Sequence, residues 1–213
     1  MDYNKETARK TAESLLKIQA VKLNKKNPFT WASGWKSPIY CDNRKTLSFP
    51  TVRTYIRQQF AEVINELYPD VDVIAGVATG AIANGVLVAQ ELGKPFVYVR
   101  PDAKSHGMKN QVEGSISAGQ TVVVIEDLIS TGGSSLKAVD ALRDAGCEVK
   151  GMVAIFTYGF KTAEDNFAKQ NVRLTTLTDY NSMIETALDS EYISEEDVES
   201  LKEWRLAPDV WGK

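Results

Sequence analysis

The chain is poor in cysteine and histidine: Cys41, Cys147 and His106 are the whole supply in 213 residues. Two distant thiols and one imidazole cannot assemble a four-ligand structural zinc site or a disulfide framework. Excess positive charge is lacking too. With 25 Lys and Arg against 28 Asp and Glu the formal charge is −3, and neither a basic stripe nor a cationic amphipathic helix is visible, which argues against a general nucleic-acid or membrane-surface partner. An anionic substrate must therefore be met by a local cluster of cations. No apolar run is long enough to span a bilayer, and no charged leader precedes an apolar core, so the expectation is a soluble cytoplasmic protein with reduced thiols. Two nucleotide fingerprints are also missing. Gly80 to Gly85 is followed by Val86 where a triphosphate-binding loop needs Lys, and no G-x-G-x-x-G occurs. Without an internal repeat or low-complexity linker, residues 1–213 are expected to form a single domain.

What is present is a regular alternation of apolar patterns. Thr7 to Ile18 carries Ala8, Ala12, Leu15 and Leu16 at helical spacing. Asn24 to Pro28 breaks that pattern, and Phe29 to Asp42 reads as two short strands around Ser33 and Gly34. Residues 1–45 are thus expected to form an N-terminal helix and a hood laid over a sheet. Val52, Ile56, Phe60, Val63 and Leu67 make a second helical stripe, opened by Pro50. Strand Val71 to Val77, the loop Ala78 to Ala81, a helix to Leu92 and strand Phe96 to Val99 follow. That order is the βαβ pattern of a parallel sheet. A strand from Thr121, its helix ending near Gly146, and Met152 to Thr157 continue it. Val172 to Leu177 reads as an edge strand, and Tyr180 to Leu188 and Ser194 to Trp204 as helices. The fold class expected is α/β, a mostly parallel twisted sheet flanked by helices.

One stretch organises the rest. Thr121 to Ile125 is a β-branched run without polar alternation, as in a strand covered on both faces. Glu126 and Asp127 place two carboxylates at its C-terminal end, the edge where open α/β sheets bind ligands. Ser130 to Ser134 is a loop of hydroxyls and glycines leading into a helix, so several backbone N–H groups and the positive end of a helix dipole meet one anion. An acidic pair beside a phosphate cradle suits a metal or a pair of sugar hydroxyls next to a phosphate. A phosphorylated ribose meets both demands. A second stretch, Arg100 to Gly114, is polar, lacks either periodicity, and gathers Arg100, Lys104, His106 and Lys109 after a strand that ends at the same sheet edge. A structureless segment of that length inside a domain reads as a functional lid.

Val122 to Ser135 closely resembles the phosphoribosyl-pyrophosphate (PRPP) signature of type I phosphoribosyltransferases. The hood sequence F-T-x-x-S-G-x-K-S-P-x-Y, Phe29 to Tyr40, resembles that of orotate phosphoribosyltransferases, and Arg100, Lys104, Ser105, His106 and Gly107 resemble their catalytic loop. The resemblance implies transfer of ribose 5-phosphate from PRPP to N1 of orotate, with Mg²⁺ held mainly by substrate. It implies catalytic roles for Lys104, Arg100, His106 and Asp127. PRPP would be held by Arg100, Lys104 and His106 together with Glu126, Asp127, Leu128, Ile129, Ser130, Thr131, Gly132, Gly133 and Ser134. Ala78, Thr79 and Gly80 would form the pyrophosphate loop, and Ser130 and Tyr40 would contact orotate. A homodimer with active sites shared across its interface is implied as well.

The chain also departs from the family's pattern. Pro101 stands where a second basic residue often follows the loop Arg, Gly80 where some members have Lys, and Ala32 where a Lys contacts orotate in some. No Arg lies in Ile155 to Phe160 to take the orotate carboxylate, leaving Ser130, the hood backbone, Lys36 and Arg44 as candidates. The rivals are a type I enzyme acting on adenine, xanthine or uracil, and a regulator that senses PRPP without catalysis.

Overall fold

A computed structural model of the chain describes residues 3–25, 27–31, 34–101 and 111–211. Lys104, Ser105, His106, Gly107 and Lys109 of the basic segment, and Ala32 and Ser33 of the hood, lie outside the described residues.

The chain opens with α1 (Lys5–Lys17), whose first turn is capped by the Asn4 side chain accepting from Thr7 N–H. The hood follows as β1 (Val21–Leu23), β2 (Phe29–Thr30), β3 (Lys36–Ser37) and β4 (Ile39–Cys41). Among these β1 pairs antiparallel with β4, and β2 with β3. A 3₁₀ turn, Asn43–Ser48, leads into α2 (Pro50–Leu67), then β5 (Val73–Val77) and α3 (Ile82–Leu92). Gly93, at φ 62°, ends α3 in the left-handed conformation that glycine adopts without a Cβ penalty. The remaining elements are β6 (Phe96–Val99), β7 (Val112–Glu113), β8 (Thr121–Ile129), α4 (Gly133–Asp144), β9 (Glu148–Thr157), α5 (Lys161–Lys169), β10 (Leu174–Asp179), α6 (Tyr180–Asp189) and α7 (Glu195–Leu206).

Six of the strands form one sheet in the order β10-β9-β8-β5-β6-β7. Every pairing is parallel except β6 with β7 at one edge, so the expected α/β class stands. Alternate residues of β8 enter opposite cores, as the two-residue strand period requires. Val123 and Ile125 join the layer of α1, α2, α3, α6 and α7, while Val122 and Val124 join that of α4 and α5. The N-terminal helix is part of the first layer rather than an appendage over it: Ala12, Leu15 and Leu16 are buried in the same cluster as Met183 and Ile184 of α6.

The structure moves several boundaries. β8 runs four residues past the apolar run, because Glu126, Leu128 and Ile129 still pair with Ala154, Phe156 and Thr157 of β9. The acids therefore sit within the strand, with Glu126 paired to Ala154 of β9, while the Asp127 backbone turns to side chains, its N–H to Glu126 and its carbonyl to Asn43. β10 lies two residues later than the pattern suggested. α5 was not read from the sequence, since only Ala163 and Phe167 of its nine residues are buried. Its position still matters. The Phe167 ring lies against Gly132, so close that a Cβ there would come within 2.6 Å of Phe167 Cε2, and Asn166 Nδ2 donates to Thr131 O at 3.0 Å. A helix invisible to pattern reading thus underpins the phosphate-cradling loop.

Candidate active site

The site begins from the acid pair. Glu126 is only 5% exposed; it accepts hydrogen bonds from Ser135 Oγ at 2.7 Å and from Asp127 N–H at 2.9 Å. Burial, followed by the Asp127 charge, pushes the Glu126 carboxyl well above its ordinary range. Asp127 is also pushed up, chiefly by burial. Two adjacent carboxyls raised in this way share protons and titrate as a pair.

A cleft of about 330 Å³ opens over them. Asp42, Asn43 and Arg44 form one wall, Val77 to Gly80 the other, and Ser134 closes the far end. Asn43 holds the first wall to the floor: it is buried, its Nδ2 donates to Asp127 O at 2.6 Å, and its Oδ1 accepts from Cys41 Sγ at 3.2 Å. Arg44 follows it. Its Nε donates to Asp42 Oδ1 at 2.7 Å, which orients the guanidinium and leaves the Nη groups without a partner among the described residues. Arg44 is also the one cation among the described residues that line this cleft.

The opposite wall is backbone. The Ala78–Thr79 peptide is cis, Ala78 N–H donates to Val99 O at 2.8 Å, and the amides of Thr79 and Gly80 find no acceptor among the described residues. Gly80 packs onto the acid pair so tightly that a Cβ would lie 2.6 Å from Asp127 Cγ. A larger residue at this position would have to displace the Asp127 carboxylate.

At the end of the strand, Gly132 adopts φ 78°, a left-handed turn suited to glycine. No side chain caps α4, and the amides of Gly132, Gly133 and Ser134 have no backbone acceptor among the described residues; of the three, Ser134 lines the cleft. Ile129 contributes differently. Its side chain is fully buried in the apolar core, and its carbonyl accepts from Tyr158 N–H at 3.1 Å and Thr157 Oγ1 at 3.3 Å.

A second pocket of about 630 Å³ adjoins the first, sharing Cys41 and Leu128 with it. Trp31, Trp35 and Tyr40 of the hood face Ser130, Thr131 and Tyr158 across it. Flat apolar walls with hydroxyls between them suit a planar ring bearing carbonyls. No charged side chain is among its described lining. The nearest cation by hydrogen bonding is Lys36, whose Nζ donates to Thr30 Oγ1 at 2.9 Å, and Thr30 lines the pocket.

Of the residues singled out in the sequence, Ala78, Thr79, Gly80, Glu126, Asp127, Leu128 and Ser134 meet at the first cleft, and Tyr40, Ser130 and Thr131 at the second. Arg100 lines neither: its backbone N–H donates to Gln111 O at 2.9 Å and its guanidinium lies 3.4 Å from Glu113. Lys104 and His106 lie outside the described residues. The sequence reading missed Asn43, Tyr158 and Asn166 as parts of the site; the run Cys41-Asp42-Asn43-Arg44, dense in polar groups beside a buried strand, was the available signal for the first.

A family profile described as Phosphoribosyl transferase domain matches residues 50–191. The orotate phosphoribosyltransferase of Porphyromonas gingivalis is 61% identical over 201 residues, covering 94% of this chain and 96% of that protein. The orotate phosphoribosyltransferase of Cytophaga hutchinsonii is 52% identical over 213 residues, covering 100% of both. Among solved structures, the orotate phosphoribosyltransferase from Aeropyrum pernix superposes with a TM-score of 0.75 at 30% identity, over 86% of this chain and 99% of that one.

The raised acid pair has a consequence for stability. The folded chain holds protons that the unfolded chain releases, so stability falls as pH rises from the ordinary carboxylate range, about pH 4, toward the folded values. Glu126→Gln keeps the shape and removes the charge. It should raise Tm by a few degrees at about pH 8, with the difference vanishing below about pH 4, as read by calorimetry across that range.

Proposed function

The chain belongs to the orotate phosphoribosyltransferase family, and from that premise we propose how its two adjoining clefts divide the family's reaction. That reaction transfers ribose 5-phosphate from PRPP to N1 of orotate, giving orotidine 5′-monophosphate and pyrophosphate in pyrimidine biosynthesis. The observation that carries the division is the seam. A buried acid pair floors a polar, amide-lined cleft, and an aromatic pocket without charge opens directly beside it.

In this reading the 5-phosphate rests on the Ser130 to Ser134 backbone at the N-terminus of α4, where unshared amides and the helix dipole favour an anion. Glu126 and Asp127 meet the ribose hydroxyls. A pair that shares protons can both donate to and accept from them. As the bond from C1 to pyrophosphate breaks, the leaving group takes the electron pair and C1 gains oxocarbenium character, which the carboxylates stabilise. Orotate lies between Tyr40 and Ser130 with N1 turned toward C1; N1 forms the new bond with the electron pair freed as its proton passes to an oxygen of the departing pyrophosphate. Thr79 and Gly80 amides receive the pyrophosphate, with Arg100, Lys104 and His106 supplying further charge.

The donor chemistry of the cleft fits Mg²⁺. This ion keeps water and substrate oxygens and needs only one or two carboxylates, and Asp127 offers such oxygens at the cleft floor. Among the described residues there is no group of three or more His, Cys, Asp or Glu that could hold a metal ion. When bound it would neutralise charge on the pyrophosphate. No described helix is long and apolar enough to cross a membrane.

Base consumption by the purified protein with PRPP and Mg²⁺ tests the whole reading. Orotate should disappear with stoichiometric pyrophosphate while uracil, adenine, hypoxanthine and xanthine remain. Turnover of another base would keep the PRPP cleft and overturn the pocket assignment; PRPP binding without any turnover would favour the regulator.

Arg44, first weighed for the orotate carboxylate, belongs on its position to the PRPP side. Arg44→Ala should raise KM for PRPP about tenfold, a loss of roughly 1.4 kcal/mol, and leave KM for orotate unchanged. Lys104→Ala should lower kcat about 10²–10³-fold, as removal of a preorganised charge contact commonly does. The shared-site homodimer predicts complementation: mixing Lys104→Ala with Asp127→Ala chains should restore part of the activity, and its absence would mean each chain holds a complete site.

A further inference from the structure

The matched domain, residues 50–191, leaves both ends of the chain outside it, and the two ends meet over the base pocket. Trp204 of α7 is fully buried, with its ring centroid 5.5 Å from Trp31 and 5.7 Å from Tyr158, both of which line that pocket. Its indole Nε1 donates to Lys36 O at 3.1 Å, fixing β3 of the hood from 168 residues away in sequence. The next residue grips the other wall. Arg205 Nε donates to Tyr158 O at 3.1 Å and Nη2 to Gly159 O at 2.9 Å, while Nη1 reaches Asn181 Oδ1 at 3.3 Å.

Those carbonyls belong to the turn after β9. Gly159 has φ 62°, and a Cβ there would come within 2.8 Å of Arg205 Nη2, so the turn is shaped to admit the guanidinium. Neither Trp204 nor Arg205 is among the residues lining the base pocket. Each holds residues that are.

We propose that α7 sets base selectivity, with Trp204 and Arg205 as positioning residues that hold the hood and the Tyr158 turn at the separation a planar pyrimidine needs. The proposal rests on the division of labour argued above, in which PRPP occupies the other cleft. Three backbone carbonyls, those of Lys36, Tyr158 and Gly159, fix this spacing by accepting from Trp204 and Arg205, and none of these five residues lines the first cleft. A change at α7 should therefore act on the base alone.

Arg205→Ala removes three side-chain hydrogen bonds from a partly exposed residue and leaves the core filled. Trp204→Phe, which keeps a ring but deletes the donor to Lys36 O, serves as the second variant. Steady-state KM for orotate is compared with the PRPP dissociation constant measured by calorimetry without base. The expected result for each is KM for orotate raised about tenfold, within the range that pocket contacts command, and PRPP affinity within about twofold of the parent. Arg205→Lys, able to reach one carbonyl, should recover part of the loss. Parallel weakening of both ligands, or an unchanged KM for orotate, would overturn the proposal. If the parent consumes a different base, the function reading fails on its own, and the same ratio read with that base still tests α7.

Discussion

The rest of the structure depends on a constraint at one place: two neighbouring carboxyls must be kept inside a parallel sheet. Glu126 and Asp127 stand near the end of β8 at the floor of the cleft, Glu126 buried and paired with Ala154 of β9. Burying charge is costly unless it is paired or protonated. The chain answers with local hydrogen bonds from Ser135 and the Asp127 amide, with Asn43 bound to the Asp127 carbonyl, and with carboxyls that retain protons above their usual range. Each answer places a particular element. Ser135 fixes α4 against the floor, Asn43 fixes the end of the hood, and the close approach of Gly80 brings the backbone of the opposite wall to the acids.

The same constraint organises charge around the cleft. Three carboxylates, Asp42, Glu126 and Asp127, surround a space meant for an anion, and the described lining contributes a single guanidinium to offset them. A ligand with several negative charges can enter such a space only if it brings cations or finds more of them nearby. Substrate-borne Mg²⁺ and the basic segment after Arg100 fit that need. On the proposed division, selectivity for a phosphorylated ribose would follow from a balance: amides at both ends to receive the phosphates, and acids between them to repel anions that lack hydroxyls to offer.

Much of this was legible in the chain. The parallel alternation showed through apolar periodicity, and the acid pair and glycine loop showed through residue types whose chemistry admits few other uses. Less legible was whatever depends on long-range pairing. The extension of β8 to Ile129 comes from β9, which offers partners beyond the apolar run; the pattern of β8 itself cannot reveal that. α5 was missed because it is short and buries only Ala163 and Phe167, two apolar anchors one turn apart. Lys36 and Arg44 were indistinguishable as candidate cations until Thr30 and Asp42 were seen to hold them at different clefts.

The base pocket was the least readable part because its walls are joined through residues far apart in sequence. Trp31, Tyr158 and Trp204 pack as one aromatic group, yet they come from the hood, the end of β9 and the C-terminal helix. A pocket built this way differs physically from the PRPP floor. The floor is a strand end whose backbone is held by the ladder of a sheet, so changing it disturbs the core. The pocket's aromatic group joins Trp31 and Trp204, outside the matched domain, to Tyr158 within it, so it is held by packing between side chains. On the proposed division, the chemistry of the phosphorylated ribose would sit on the strand edge, and the feature that separates one base from another would sit where the hood and α7 pack together over the second pocket.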